Sequence, residues 1–216
     1  IINKGTLLVK DGKVVSVGKR VSIPKGTKTV DLSGKTIYPS FIEVYSNFGV
    51  KNPTPPRNTS RTQQYETNRE GYYWNDHIRP ETNAFASFKY DKGKAKGLLK
   101  AGFGVVNTHR ADGIARGNGV LVALNSNSTD AYRVLDTKSV NYFSTNRSRM
   151  TRQAYPYSFM GKTALLRQMY MDADWYASGN AKNKDRALEA LIANKNLTQI
   201  FDAGGTNLNA IRLDKV

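Results

Sequence analysis

The chain has no cysteine among its 216 residues. That excludes a disulfide scaffold, thiolate zinc sites and a cysteine nucleophile. Either redox compartment accommodates such a chain, an exported or periplasmic one being favoured over the cytoplasm. Histidine is scarce as well. His77 and His109 are the only two, too few for a histidine-rich metal centre. No apolar run approaches the ~18 residues of a membrane-spanning helix. No block of roughly five or more Lys and Arg marks a nucleic-acid-binding arm, and no signal peptide or internal repeat is visible.

What is present is a core and a strong positive charge. Hydrophobic residues make up 39% and aromatics 10%, so the chain is neither a disordered tail nor a fibrous repeat. Lys and Arg number 33 against 17 acids, a net charge of +16. Such a field favours anionic partners. The basic residues are spread along the whole chain, however, so a generally basic surface is the plainer reading and nucleic acid is not the expected partner. The chain opens on Ile1, and a helical pattern starting at Asn207 stops at Val216. Both are expected of part of a longer polypeptide.

Residues 1–38 read as short strands joined by tight turns. Runs 6–10 and 13–17 flank Asp11-Gly12, a strong hairpin signal because Gly tolerates positive φ. Further strands are predicted at 21–24, 29–32 and 35–38. After Pro39, residues 40–45 form a nearly continuous apolar run, which suits a strand covered on both faces of a parallel sheet. Residues 49–83, rich in Pro, Asn, Thr and Arg, form a long polar loop whose far end is anchored by Tyr72, Tyr73 and Trp74. A helix over 92–101 with Gly102 as its stop, then a buried strand at 103–108, complete a β–α–β order. Strands at 119–124 and 132–135, helices at 160–177 and 181–193, and a strand at 197–201 follow.

The opening carries a family likeness. Residues 5–18, Ile23-Pro24 and the stretch Val30-Asp-Leu-Ser-Gly-Lys-Thr-Ile-Tyr-Pro-Ser-Phe-Ile-Glu43 resemble the start of the amidohydrolase superfamily, nearest its imidazolonepropionase-like and dihydroorotase-like branches. Ala101 to Val106 resembles that family's second barrel strand and its lead-in. The resemblance implies an α/β fold: part of a small antiparallel β-sandwich over 1–38, then the first part of a (β/α)8 TIM barrel over 39–216. A complete barrel takes about 250 residues. The expected partner is therefore the rest of the same polypeptide, or a second chain, that completes it.

In the family, the first barrel strand ends in His-x-His, which grips a divalent metal. Here those positions are Tyr45 and Asn47, neither a good zinc ligand. The remaining family ligands come from later strands, so no metal ligand is assigned in this chain. Zinc in a parent protein is what the likeness allows. Two functions follow. The parent hydrolyses C–N bonds of an amide or cyclic amide with metal-activated water acting on a small-molecule substrate. Alternatively, it is a catalytically degenerate barrel serving structure or binding.

Tyr45, Asn47, His109 and Arg110 are the substrate-facing candidates, because His109 and Arg110 follow the second strand at the end where barrel sites sit. His77 is assigned to packing. Asp112, Asp172 and Asp174 form no acid/base pair. The glycine-rich stretch 112–119 lacks the order of a phosphate-binding loop and reads as a tight turn. Arg147, Arg149 and Arg152 lie among aromatics, a pattern shared by nucleic-acid grips and ordinary loops.

Overall fold

The structure, a computed structural model, describes residues 2–55, 62–125 and 133–205. The chain divides into two compact units, Ile1–Pro39 and Ser40–Val216.

In the first unit, β1 (Thr6–Lys10) and β2 (Lys13–Gly18) pair antiparallel. Asp11 and Gly12 turn between them with φ of 51° and 73°, as the hairpin signal required. The strands predicted at 21–24, 29–32 and 35–38 do not form. Their backbones close turns instead, Thr27 N–H donating to the Pro24 carbonyl and Lys35 N–H to that of Leu32. An extended segment becomes a strand only beside a ladder partner, and none lies alongside these among the described residues.

The second unit realises the predicted β–α–β order. β3 (Phe41–Ser46) and β4 (Phe103–Thr108) are parallel and joined through α1 (Lys92–Lys100). Asp91 caps α1 by accepting from Lys94 N–H at 3.0 Å, and Gly102 ends it at φ 93°. After β4 come β5 (Ala115–Asn118), β6 (Val120–Ala123), β7 (Val134–Asp136), β8 (Asn141–Ser144), α2 (Phe159–Ala177), α3 (Arg186–Ala193) and β9 (Gln199–Asp202). One sheet runs β3-β4-β6-β7, the other β5-β8-β9. The architecture is mixed α/β, and no closed barrel forms among the described residues.

Four expectations need correction. Residues 40–45 were expected to be covered on both faces, yet Phe41 is 66% exposed, because β3 is an edge strand with only β4 beside it. The stretch 112–119 is not only a turn, since it contains the fully buried β5. There, Gly117 has φ 79°, and a Cβ on it would lie 2.0 Å from the Thr82 carbonyl oxygen. β8, parallel to β9, has no counterpart in the predicted elements, and its Asn-Tyr-Phe-Ser carries no apolar run. The helix predicted from residue 181 begins only at Arg186, where Asp185 caps it through the N–H groups of Ala187 and Leu188. Tyr132 and the helix predicted from residue 207 lie outside the described residues.

Two apolar clusters hold this unit. One gathers Tyr73, Ile78, Ile114 and Phe143 against Leu165, Leu166 and Met169 of α2 and Leu188 and Leu191 of α3. The other packs Phe48, Val50, Val106, Val120, Val122 and Leu124 around β4 and β6. A buried ring of amides ties β5, β8 and the end of α3. Asn118 donates to Asn141 Oδ1 at 2.6 Å, Asn141 to the Asn194 carbonyl at 2.9 Å, and Asn194 back to Asn118 Oδ1 at 3.1 Å. Asn141→Leu leaves the Asn118 side-chain donor unpaired in the interior and removes one of the two bonds to the Asn194 carbonyl, which keeps Leu197 N–H. It is expected to cost about 2 kcal/mol, read as a lower urea midpoint at unchanged slope.

Candidate functional site

The C-terminal ends of β3, β4, β8 and β9 converge on one polar cluster. Tyr45 is the penultimate residue of β3, His109 follows β4, Tyr142 lies in β8, and Asp202 ends β9. β5 adds Arg116 from the side. The phenol of Tyr45 donates to Asp202 Oδ2 at 2.7 Å and accepts from Arg116 Nη1. Arg116 Nη1 also lies 3.1 Å from His109 Nε2, and Arg116 Nε donates to the Gly113 carbonyl. The imidazole of His109 stacks on Tyr142, with ring centroids 3.9 Å apart and planes at 11°, and Tyr45 tilts over it at 4.6 Å. Tyr142 in turn donates to the Val44 carbonyl at 2.6 Å. Gly119 makes this packing possible, because a Cβ there would stand 2.5 Å from the Tyr142 ring.

The electrostatics follow from burial around one cation. Arg116 is 3% exposed. Burial first, then the Arg116 charge, push the His109 imidazole down to about 3, with the Ser46 carbonyl and Asp202 opposing. His109 is therefore neutral, Nε2 accepting from Arg116. Its Nδ1 is buried with no hydrogen-bond partner among the described residues. Burial and the Asp202 bond raise the Tyr45 phenol to about 12, although Arg116 pulls it down. Burial alone would raise Asp202, but bonds from Tyr45 and Gly204 N–H and the Arg116 charge hold it below the usual carboxylate range. Tyr45, His109 and Asp202 thus each keep one protonation state around neutral pH. The cluster can orient and bind, and these three offer no group poised to exchange a proton there.

Of the four predicted site residues, the fold brings Tyr45 and His109 together. Asn47 lies past the end of β3, is exposed, and its carbonyl closes a turn to Val50 N–H. Arg110 is half-buried, and its guanidinium makes no hydrogen bond or ion pair among the described residues. Arg116, Tyr142 and Asp202 were missed. Asp202 directly follows a predicted strand and was findable by the rule that sites sit at strand C-termini. Arg116 had no such signal.

His77 has the packing role expected of it. Its Nδ1 accepts from Ser148 N–H at 3.0 Å and its Nε2 meets the Gln153 carbonyl at 3.1 Å. Burial lowers it to about 4. Asp112 accepts from Ser148 Oγ and Arg149 N–H, tying the two loops. Both histidines are pushed below their unfolded value of about 6.5. Between that value and about 4 the unfolded chain therefore binds more protons, and stability falls as pH drops. The urea midpoint is expected to decline steadily through that window and to decline less in His77→Gln.

A divalent metal does not suit the described cluster. Among the described residues no group of three or more His, Asp and Glu is placed to hold one. The position facing Tyr45 and His109 already contains the Arg116 guanidinium, and its positive charge opposes a second cation.

No family model matches the chain. Imidazolonepropionases of Staphylococcus aureus strains JH9, Mu50 and N315 are each 32% identical to it over 47 residues, which is 22% of this chain and 11% of theirs. An amidohydrolase from Thermotoga maritima MSB8 superposes with a TM-score of 0.68 at 19% identity, covering 97% of this chain and 56% of that one. The chain therefore spans only part of the length of the proteins it resembles. Nearly the whole of this chain shares its fold with part of that amidohydrolase.

Proposed function

We propose that this chain is the opening part of an amidohydrolase-like polypeptide whose strand-end site has exchanged a metal grip for a guanidinium-centred cluster and works as a binding or structural module. The observation that carries this is Arg116, which is buried, bonded to Tyr45 and His109, and seated where the family likeness would put a metal. On this reading residues 1–38 belong to a composite β-domain and 39–216 to the first part of a (β/α)8 barrel, with Asn47 and Arg110 at its rim. The remaining strands come from elsewhere in the same polypeptide or from a second chain. They would cover the exposed apolar side chains of β3, of which Phe41, Ile42 and Val44 are all more than half exposed.

A second reading has one observation in its favour, the local likeness to imidazolonepropionases. On that reading the parent hydrolyses a C–N bond with a metal held by later strands. Elemental analysis of the full-length protein, purified without chelator, separates the two. Substoichiometric metal together with a melting temperature indifferent to chelation supports the binding module. One tightly held zinc per chain, lost with activity on chelation, would replace it with the hydrolase.

A further inference from the structure

Away from the strand ends, a groove of about 570 Å³ opens between the C-terminal end of α2, the start of α3 and the loop carrying Tyr72. This volume lies in the range of small-molecule sites. We propose that it binds a small ligand that joins a flat aromatic ring to a phosphate, the chemistry of a mononucleotide.

Three aromatic side chains from two separate segments line the groove: Tyr72, Trp175 and Tyr176. Two of them are fixed. Tyr176 Oη accepts from Asp185 N–H at 3.2 Å and donates to Glu189 at 3.3 Å. Tyr72 Oη accepts from Arg186 at 3.2 Å, and its ring is flanked by the guanidinium carbons of Arg69 and Arg186 at 4.9 and 5.6 Å. Trp175 is the free platform. It is 54% exposed, and its indole contacts no other ring among the described residues. An indole face open to solvent beside anchored aromatic walls can stack a planar ring.

The rim supplies the charge. Lys182 is exposed and forms no ion pair among the described residues, whereas Lys184 is engaged by Glu189 at 3.6 Å. The Asp185 carboxylate is turned to the N–H groups of α3 as its cap. Of the cations lining the groove, Lys182 is thus the one available to an anion, on a chain whose net charge is +16. A phosphate is the anion that such a donor engages. The side-chain amides of Asn180 and Asn183 add polar contacts at the same edge.

The test is calorimetric titration of the full chain with AMP, adenosine and inorganic phosphate. AMP is expected to bind saturably, with affinity falling as salt rises, and adenosine and phosphate each to bind about tenfold or more weakly. Trp175→Ala should cost about tenfold or more in AMP affinity, and Trp175→Phe should restore most of it. Lys182→Glu should weaken AMP and leave adenosine unchanged. Trp175 and Lys182 are exposed, so melting curves should confirm that these variants fold. Absence of saturable AMP binding at millimolar concentration overturns the proposal. So does an affinity indifferent to Trp175→Ala, or phosphate alone binding as tightly as AMP.

Discussion

Arg116→Ala is expected to destabilise the protein by about 2–3 kcal/mol, the cost of leaving buried acceptors without their donor. The guanidinium serves three acceptors at once: the Gly113 carbonyl, the Tyr45 phenol and His109 Nε2. Its loss leaves the Asp202 carboxylate without the nearby positive charge that helps keep it ionised. Arg116→Lys should recover little, because an ammonium is a compact point charge and cannot reproduce the planar fork. A spectroscopic signature accompanies the loss. Without the adjacent cation, His109 should titrate above its wild-type value of about 3, visible as a shifted imidazole titration by NMR. If His109 titrates unchanged in the variant, the guanidinium does not control this site.

The second large effect is expected at Asp76, far from the strand ends. Its carboxylate accepts from Thr67, Arg69, Gln64 and Thr151 side chains and from Asn68 N–H, while its own N–H donates to Gln153. Arg69 completes the arrangement by reaching Glu81 as well. This hub explains how a long loop with little regular structure is held, since its polar groups are answered by one buried anion rather than by a ladder. Asp76→Ala strands several donors and is expected to cost about 3–5 kcal/mol. Hydrogen exchange should localise the loss to residues 62–83 and 145–153. Asp76→Asn keeps one acceptor oxygen and should be milder. Burial alone would raise the Asp76 carboxyl, but its hydrogen bonds hold it below its ordinary value. That contribution is present above the unfolded pKa of about 3.9 and disappears as pH falls through the lower folded value. Asp76→Ala should therefore flatten the acid limb of the stability curve below about pH 4, where of the two histidines His109 alone still contributes.

Chain order and local chemistry made much of the architecture readable. The Asp11-Gly12 hairpin, the β3–α1–β4 unit, the Gly102 stop and helix α2 all depend on contacts close in sequence. Turn residues, caps and apolar period encode such contacts directly. The amidohydrolase likeness was readable too, because it lies in a short, dense opening stretch. β8 was not readable. Asn141 and Ser144 are polar residues buried by partners distant in the chain, and they leave no hydrophobic signature.

The candidate site divides along the same line. Residue order alone placed His109 after a strand end, and set Tyr45 and Asn47 where the family likeness leads one to expect a histidine pair. Packing brings Tyr45 to an aspartate 157 residues away and adds an arginine from a glycine-rich stretch. The physical reason is that a buried charge is tolerated only where the fold supplies its partners. Those partners come from β3, β4 and β9, which come together only once the sheets and helices have packed.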